Sequence, residues 1–283
     1  MPEPGTRKAE RGTPRAARIG LWYRFCRLVC RFTWRTFFRL KTWGLEHVPL
    51  TGGVILACNH QSYMDPPIVT CMLERECRYM ARSSLFGFKP FAWLIRSVGA
   101  IPVNRGESDR AALRMAEAAL KAGWLLTLYP EGTRTASGYL EEVKPGVGSL
   151  AVRAGVPVLP CYVHGAFDAW PRSAKLPRPK SIDVFYGELI ELPGESLARR
   201  KRSALVNEEL ERSLADLEQK AFTLKPLRTR SAPPARAGGS PVGTGRIDPP
   251  VPAETEKANP SKEGATGEGS SGFAPGAVSN GQS

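Results

Sequence analysis

No stretch of the chain approaches the roughly 18 uninterrupted apolar residues of a membrane-spanning helix. The N-terminus also lacks the apolar core, about 7–15 residues long, of a secretory signal. Cys26, Cys30, Cys58, Cys71, Cys77 and Cys161 form no CxxC pair and no Cys/His zinc spacing, so no metal site is expected. Several lie inside apolar runs, where a free thiol behaves as a small hydrophobe, and reduced thiols facing the cytosol are the expectation. The single remaining route to a membrane is to lie on its cytoplasmic face.

Charge is present in excess but unevenly. The net charge is +13, yet 11 basic and 2 acidic residues fall within residues 1–43, and 6 and 5 within residues 226–283. The middle is close to neutral, which argues against nucleic-acid binding, and no recognised binding module is present. Residues 1–16 are polar and Pro/Gly-punctuated, a composition expected to be disordered. Across residues 17–43, helical spacing puts Arg24, Arg27, Arg31, Arg35 and Arg39 on one stripe. Trp22, Phe25, Val29, Phe32, Phe37, Leu40 and Trp43 spread over the other side. A cationic face opposite an aromatic one reads as an interfacial helix on an anionic membrane. The competing reading is a helix packed on its own domain with its arginines solvated.

From residue 44 the period changes. Val54–Cys58, Cys77–Ala81, Ala100–Val103, Trp124–Tyr129, Val156–Val163 and Ile182–Tyr186 read as buried strands. Between several of them lie helical patterns at Pro66–Leu73, Pro90–Val98, Ser108–Ala122 and Val147–Ala154, and a further helix covers Ser196–Phe222. This alternation predicts an α/β domain over residues 44–225, with a mostly parallel central sheet flanked by helices. Residues 226–283 are rich in Pro, Gly, Ser, Thr and Ala with one aromatic, and are expected to be a disordered tail.

In such sheets, ligands bind beyond the carboxyl ends of the strands, and four clusters follow predicted strands. The first is Asn59-His60-Gln61-Ser62-Tyr63-Met64-Asp65. A strand-to-helix turn can fold the Asp65 carboxylate back against the His60 imidazole, giving a general base of fixed tautomer. The bland reading is a loop histidine and a capping aspartate. The second cluster, Gly99–Gly106, carries Arg105, whose guanidinium could take a phosphate bidentately or be a plain surface charge. The third runs Tyr129-Pro130-Glu131-Gly132-Thr133-Arg134, followed by Lys144 ahead of a short helix whose N-terminus could add donors for an anion. The fourth, Gly155–Cys161, is mostly apolar and reads as core, with an acyl-chain wall as the alternative.

These four blocks, in this order, resemble the glycerolipid acyltransferase family, and most closely its short bacterial 1-acylglycerol-3-phosphate acyltransferases. Asn59, His60, Ser62 and Asp65 match the NHxSxxD block, and Pro130 to Arg134 the PEGTR block. The block usually ending in an Asp-Arg or similar pair reads Asn104-Arg105 here, and the fourth is matched loosely at Val156–Pro160. The resemblance implies that His60 deprotonates a lysolipid hydroxyl and that Asp65 orients His60. It implies that Arg105, Glu131, Gly132, Thr133, Arg134 and Lys144 bind the glycerol phosphate. The acyl donor would be acyl-CoA or acyl-carrier protein, without cofactor, metal or acyl-enzyme. The alternatives are an O-acyltransferase acting on another lysolipid or on glycerol-3-phosphate, and an inactive peripheral membrane-binding protein. Intact His60 and Asp65 argue against the last.

Overall fold

The computed structural model of the chain describes residues 20–103, 110–227, 230, 231 and 233. Seven strands form one sheet: β1 (Lys41–Trp43), β2 (Val54–Cys58), β3 (Cys77–Arg82), β4 (Ala100–Val103), β5 (Leu125–Leu128), β6 (Val158–His164) and β7 (Asp183–Tyr186). Their order is β1-β7-β6-β2-β5-β3-β4. β6, β2, β5, β3 and β4 run parallel, as expected from the strand–helix alternation. β7 is antiparallel to β6, and β1 pairs in parallel with β7. The carboxyl ends of the five parallel strands therefore share one edge, where the polar clusters emerge.

β2 is buried along its whole length and divides the core by its alternation. Leu56 and Cys58 face one side with Leu159, Cys161 and Val163. Ile55 and Ala57 face the other, with Leu126, Val158 and Tyr162. Each fully buried Leu or Ile contributes on the order of 1.5–3 kcal/mol. The first face is covered by α1 (Leu21–Phe38) and α2 (Asp65–Thr70), the second by α4 (Arg110–Lys121), α5 (Gly146–Ala154) and α7 (Arg199–Leu224). Two further helices are α3 (Lys89–Ser97) and α6 (Ala166–Ala169). Cys58, Cys71, Cys77 and Cys161 are buried free thiols, while Cys26 and Cys30 are half-buried.

Two boundaries differ from the sequence expectation. The helix expected over residues 17–43 stops at Phe38, because Arg39 takes a left-handed conformation (φ 46°, ψ 40°) and redirects the chain. Leu40 enters the core and Lys41–Trp43 adds a strand to the sheet, so the domain begins before residue 44. At the other end, the tail expected from residue 226 includes Leu227 and Arg230, which bridge to each other, and Arg230 is nearly buried. Most of the remaining expected tail, residues 1–16 and the first two residues of the helix expected from Ser108 lie outside the described residues.

The face that α1 turns inward also differs. Arg27 donates to the Leu73 carbonyl (2.6 Å), and Arg31 to those of Cys71 (2.5 Å) and Met72 (2.9 Å). Those carbonyls are exposed by the end of α2, and a cation there satisfies them. Arg24, Arg35 and Arg39 remain exposed. Leu21, Trp22, Phe25, Leu28, Val29, Phe32 and Phe37 all point outward, Phe32 being 66% exposed. The helix packs on its domain through Tyr23, Cys30, Trp34 and Phe38 and through Arg27 and Arg31, and leaves Leu21, Phe25, Leu28, Val29 and Phe32 open. Among the described residues, no helix is long and apolar enough to cross a membrane.

Candidate active site

The chain leaves β2 at Asn59, whose carboxamide imitates a strand backbone. Its Oδ1 accepts the Val163 N–H (2.7 Å) and its Nδ2 donates to the Val163 carbonyl (3.0 Å). His60 follows, fixed at both backbone groups: its N–H donates to Glu131 Oε1 (3.2 Å) and its carbonyl accepts the Thr135 N–H (2.8 Å). The loop then folds back so that Asp65, fully buried as the first residue of α2, faces the imidazole. Asp65 Oδ2 accepts three hydrogen bonds: from His60 Nδ1 (2.8 Å), Gln61 N–H (2.6 Å) and Ser62 N–H (2.8 Å). Because the carboxylate accepts, the Nδ1 proton is fixed and Nε2 carries the lone pair. The ring stacks on Tyr129 at 4.0 Å and remains 16% exposed, with no protein partner for Nε2 among the described residues. An imidazole held at Nδ1 by Asp65, with Nε2 open, is equipped to take a proton.

The second locus lies after β5. Gly132 sits at φ +74°, and a Cβ there would stand 3.1 Å from Lys144 Nζ, so the lysine overhangs a turn that only glycine relaxes into. Arg134 lies 3.4 Å over the Tyr63 ring, and its Nη1 is buried without a partner. Neither cation forms an ion pair with a described acidic residue. Thr133 and Gly132 are exposed beside them. Two uncompensated cations at one turn attract an anion.

Not every residue expected here joins this locus. Arg105 lies outside the described residues. Glu131 is buried beneath the His60 loop, and holds that loop instead of lining an anion site. Burial pushes its carboxyl up to about 8, aided by the nearby charges of Glu141, Asp65 and Glu218. A proton on Glu131 relieves like-charge repulsion beside Asp65. The α5 N-terminus, expected to add donors for an anion, spends its Gly148 N–H on Asn207 of α7 (2.8 Å). His47 and His164 bind backbone carbonyls, of Tyr186 and Lys225 respectively.

The family model described as Acyltransferase matches residues 39–164. A 1-acyl-sn-glycerol-3-phosphate acyltransferase of Pseudomonas aeruginosa is 31% identical over 175 residues, covering 59% of this chain and 66% of that protein. Residues 39–164 form an acyltransferase-family domain. A Bacillus subtilis protein of the same name is 26% identical over 203 residues, covering 70% of this chain and 98% of the relative. The crystal structure of the 1-acyl-sn-glycerophosphate acyltransferase from Thermotoga maritima aligns with a TM-score of 0.54 at 26% identity, over 67% of this chain and 78% of that one. This acyltransferase-family domain runs from the left-handed Arg39 to the end of β6. It contains both loci but neither α1 nor anything after His164.

Gln61, Tyr63 and Tyr129 stand inside the two motifs, and each supports one of the loci. Tyr129 stacks on the imidazole, Tyr63 carries Arg134, and the Gln61 carboxamide reaches the Gly138 carbonyl (2.8 Å). Their position inside the two motifs was the available signal. What they touch depends on a loop-to-loop approach that spacing does not encode.

Proposed function

We propose that the chain transfers a fatty acyl group from acyl-CoA or acyl-carrier protein to the free hydroxyl of 1-acylglycerol-3-phosphate, giving phosphatidic acid. The observation that carries this reading is the 2.8 Å His60 Nδ1–Asp65 contact beside unpaired Arg134 and Lys144. The names of the relatives support it. His60 Nε2 takes the hydroxyl proton as that oxygen attacks the thioester carbonyl. Asp65 keeps the imidazole oriented and stabilises the imidazolium that forms. The tetrahedral intermediate then expels the thiolate, which recovers the proton from Nε2–H. Arg134 and Lys144 hold the phosphate of the acceptor, with Arg105 a further candidate. The route uses no cofactor.

The acceptor is a lipid, so the enzyme works against a membrane surface, and the outward rings and leucines of α1 are the contact. Three stripe arginines remain free to meet anionic headgroups, at about 1 kcal/mol each near the surface. Apolar burial then carries most of the binding, and salt weakens it only in part. The deciding experiment incubates the protein with labelled acyl-CoA or acyl-carrier protein and a panel of lysolipids and glycerol-3-phosphate. Phosphatidic acid is the expected dominant product, and acylation of only a non-phosphorylated acceptor would sink the reading. In parallel, changing Trp22, Phe25 and Phe32 to Ser is expected to release the folded protein from anionic vesicles.

A further inference from the structure

Beyond the residues that match the family model, one nearly buried cation reaches back to the catalytic loop. After α7 the chain turns at Lys225, whose carbonyl accepts His164 Nε2–H (2.7 Å), and brings Arg230 inward. The Arg230 guanidinium lies among the rings of Phe167 (5.1 Å), Tyr139 (5.3 Å) and Phe222 (5.8 Å). It donates to Asp168 Oδ2 (2.9 Å) and to the Gly138 carbonyl. The Tyr139 hydroxyl donates in turn to the Ser231 carbonyl (3.1 Å).

The two segments that Arg230 joins are the two that hold Gln61. Gln61 Nε2 donates to that same Gly138 carbonyl (2.8 Å), and Gln61 Oε1 accepts the N–H of Phe167, the neighbour of Asp168 (3.2 Å). The Gln61 backbone N–H donates to Asp65 Oδ2 (2.6 Å), the atom that also holds His60. One guanidinium therefore sets the spacing between two segments that clamp the residue next to the general base. A planar fork flanked by rings suits this task, and an ammonium cannot reproduce it.

We propose that Arg230 is a positioning residue for acyl transfer, acting through Gln61 on the Asp65–His60 pair. It touches no reacting atom, and its role rests on the reading of His60 as the base. The chain after α7 is thereby a working part of the site.

The test uses the full chain with Arg230→Ala and Arg230→Lys. In the Ala variant, kcat is expected to fall at least tenfold while the apparent KM for lysophosphatidic acid changes less than threefold. Lysine is expected to restore little, and millimolar ethylguanidinium added to the Ala variant to restore a measurable share of kcat. The chain holds only three histidines, so their ring resonances can be followed individually. Those of His60 and His164 are expected to shift in the Ala variant while those of His47 stay. A kcat within twofold of the parent overturns the proposal. So does a loss that only follows the folded fraction, with the His60 resonances unmoved and no rescue. If the parent acylates no acceptor, the functional reading fails instead, and the His60 resonances still decide whether Arg230 reaches the loop.

Discussion

Two loops leave the same edge of the sheet and are built in opposite ways. From Asn59 to Asp65, the protein supplies its own partners: Val163, Glu131, Thr135 and Gly138 anchor the loop, and Asp65 Oδ2 alone collects three donors. Between Gly132 and Lys144, positive charge is left unanswered, with Arg134 Nη1 buried and unpartnered. Under the proposed function, the difference follows from what each loop has to do. A general base works only if aligned before the substrate arrives, so its orientation is fixed by bonds internal to the fold. An anion site works only if its charges are not already neutralised, so its partners come with the substrate.

The contrast breaks first at His60. His60→Ala is expected to lower kcat by about 10²–10⁴-fold, the range for loss of a general base, with little change in the KM of the acceptor. Steady-state kinetics with lysophosphatidic acid would check this, and near-normal turnover would remove the proton-transfer role. Arg134→Ala should do the reverse. Loss of a charge-assisted contact worth about 1.5–3 kcal/mol raises the apparent KM for the phosphorylated acceptor roughly 10–150-fold. Discrimination against monoacylglycerol should shrink with it. Equal losses on both acceptors would exclude Arg134 from phosphate recognition, and Lys144→Ala, at a more exposed site, should have the milder effect.

The smallest effect sharpens the contrast from below. Glu131 titrates at about 8 in the fold, against an ordinary value of 4.5. Between these values the folded state keeps a proton that the unfolded chain has released. Its contribution is therefore full below pH 4.5 and is lost as pH rises through about 8. Glu131→Gln keeps the acceptor for His60 N–H and removes the titration. Its melting temperature relative to the parent is expected to rise by several degrees between pH 5.5 and pH 8.5. A gap that does not change with pH would mean that Glu131 is ionised throughout.

The parallel core was legible because β2, β4 and β5 are short apolar runs bounded by turn residues, and Val54–Cys58 and Ala100–Val103 match to the residue. The His60–Asp65 pair was legible because a strand end and a helix start flank it. β1 was not legible. Three residues carry no readable period, and the left-handed turn before them is made by Arg39 instead of glycine. The inward role of Arg27 and Arg31 was hidden for another reason: an arginine stripe looks the same whether water or carbonyls meet it. Arg230 was hidden by its neighbourhood, since a Pro/Ala-rich stretch reads as a tail even when one of its side chains is held among three rings.

The buried cysteines turn the molecule into its own reporter of local opening. Burial holds the thiols of Cys71 and Cys77 up to about 12, and that of Cys58 well above its usual value. The thiolate is the reactive form, so an alkylating reagent near neutral pH reaches these sites only when the surrounding element comes apart. Cys58 lies in β2, Cys77 in β3, Cys161 in β6 and Cys71 just past α2. The rates at which the four are modified in the native protein would therefore rank, element by element, how the sheet beneath the His60–Asp65 loop unzips.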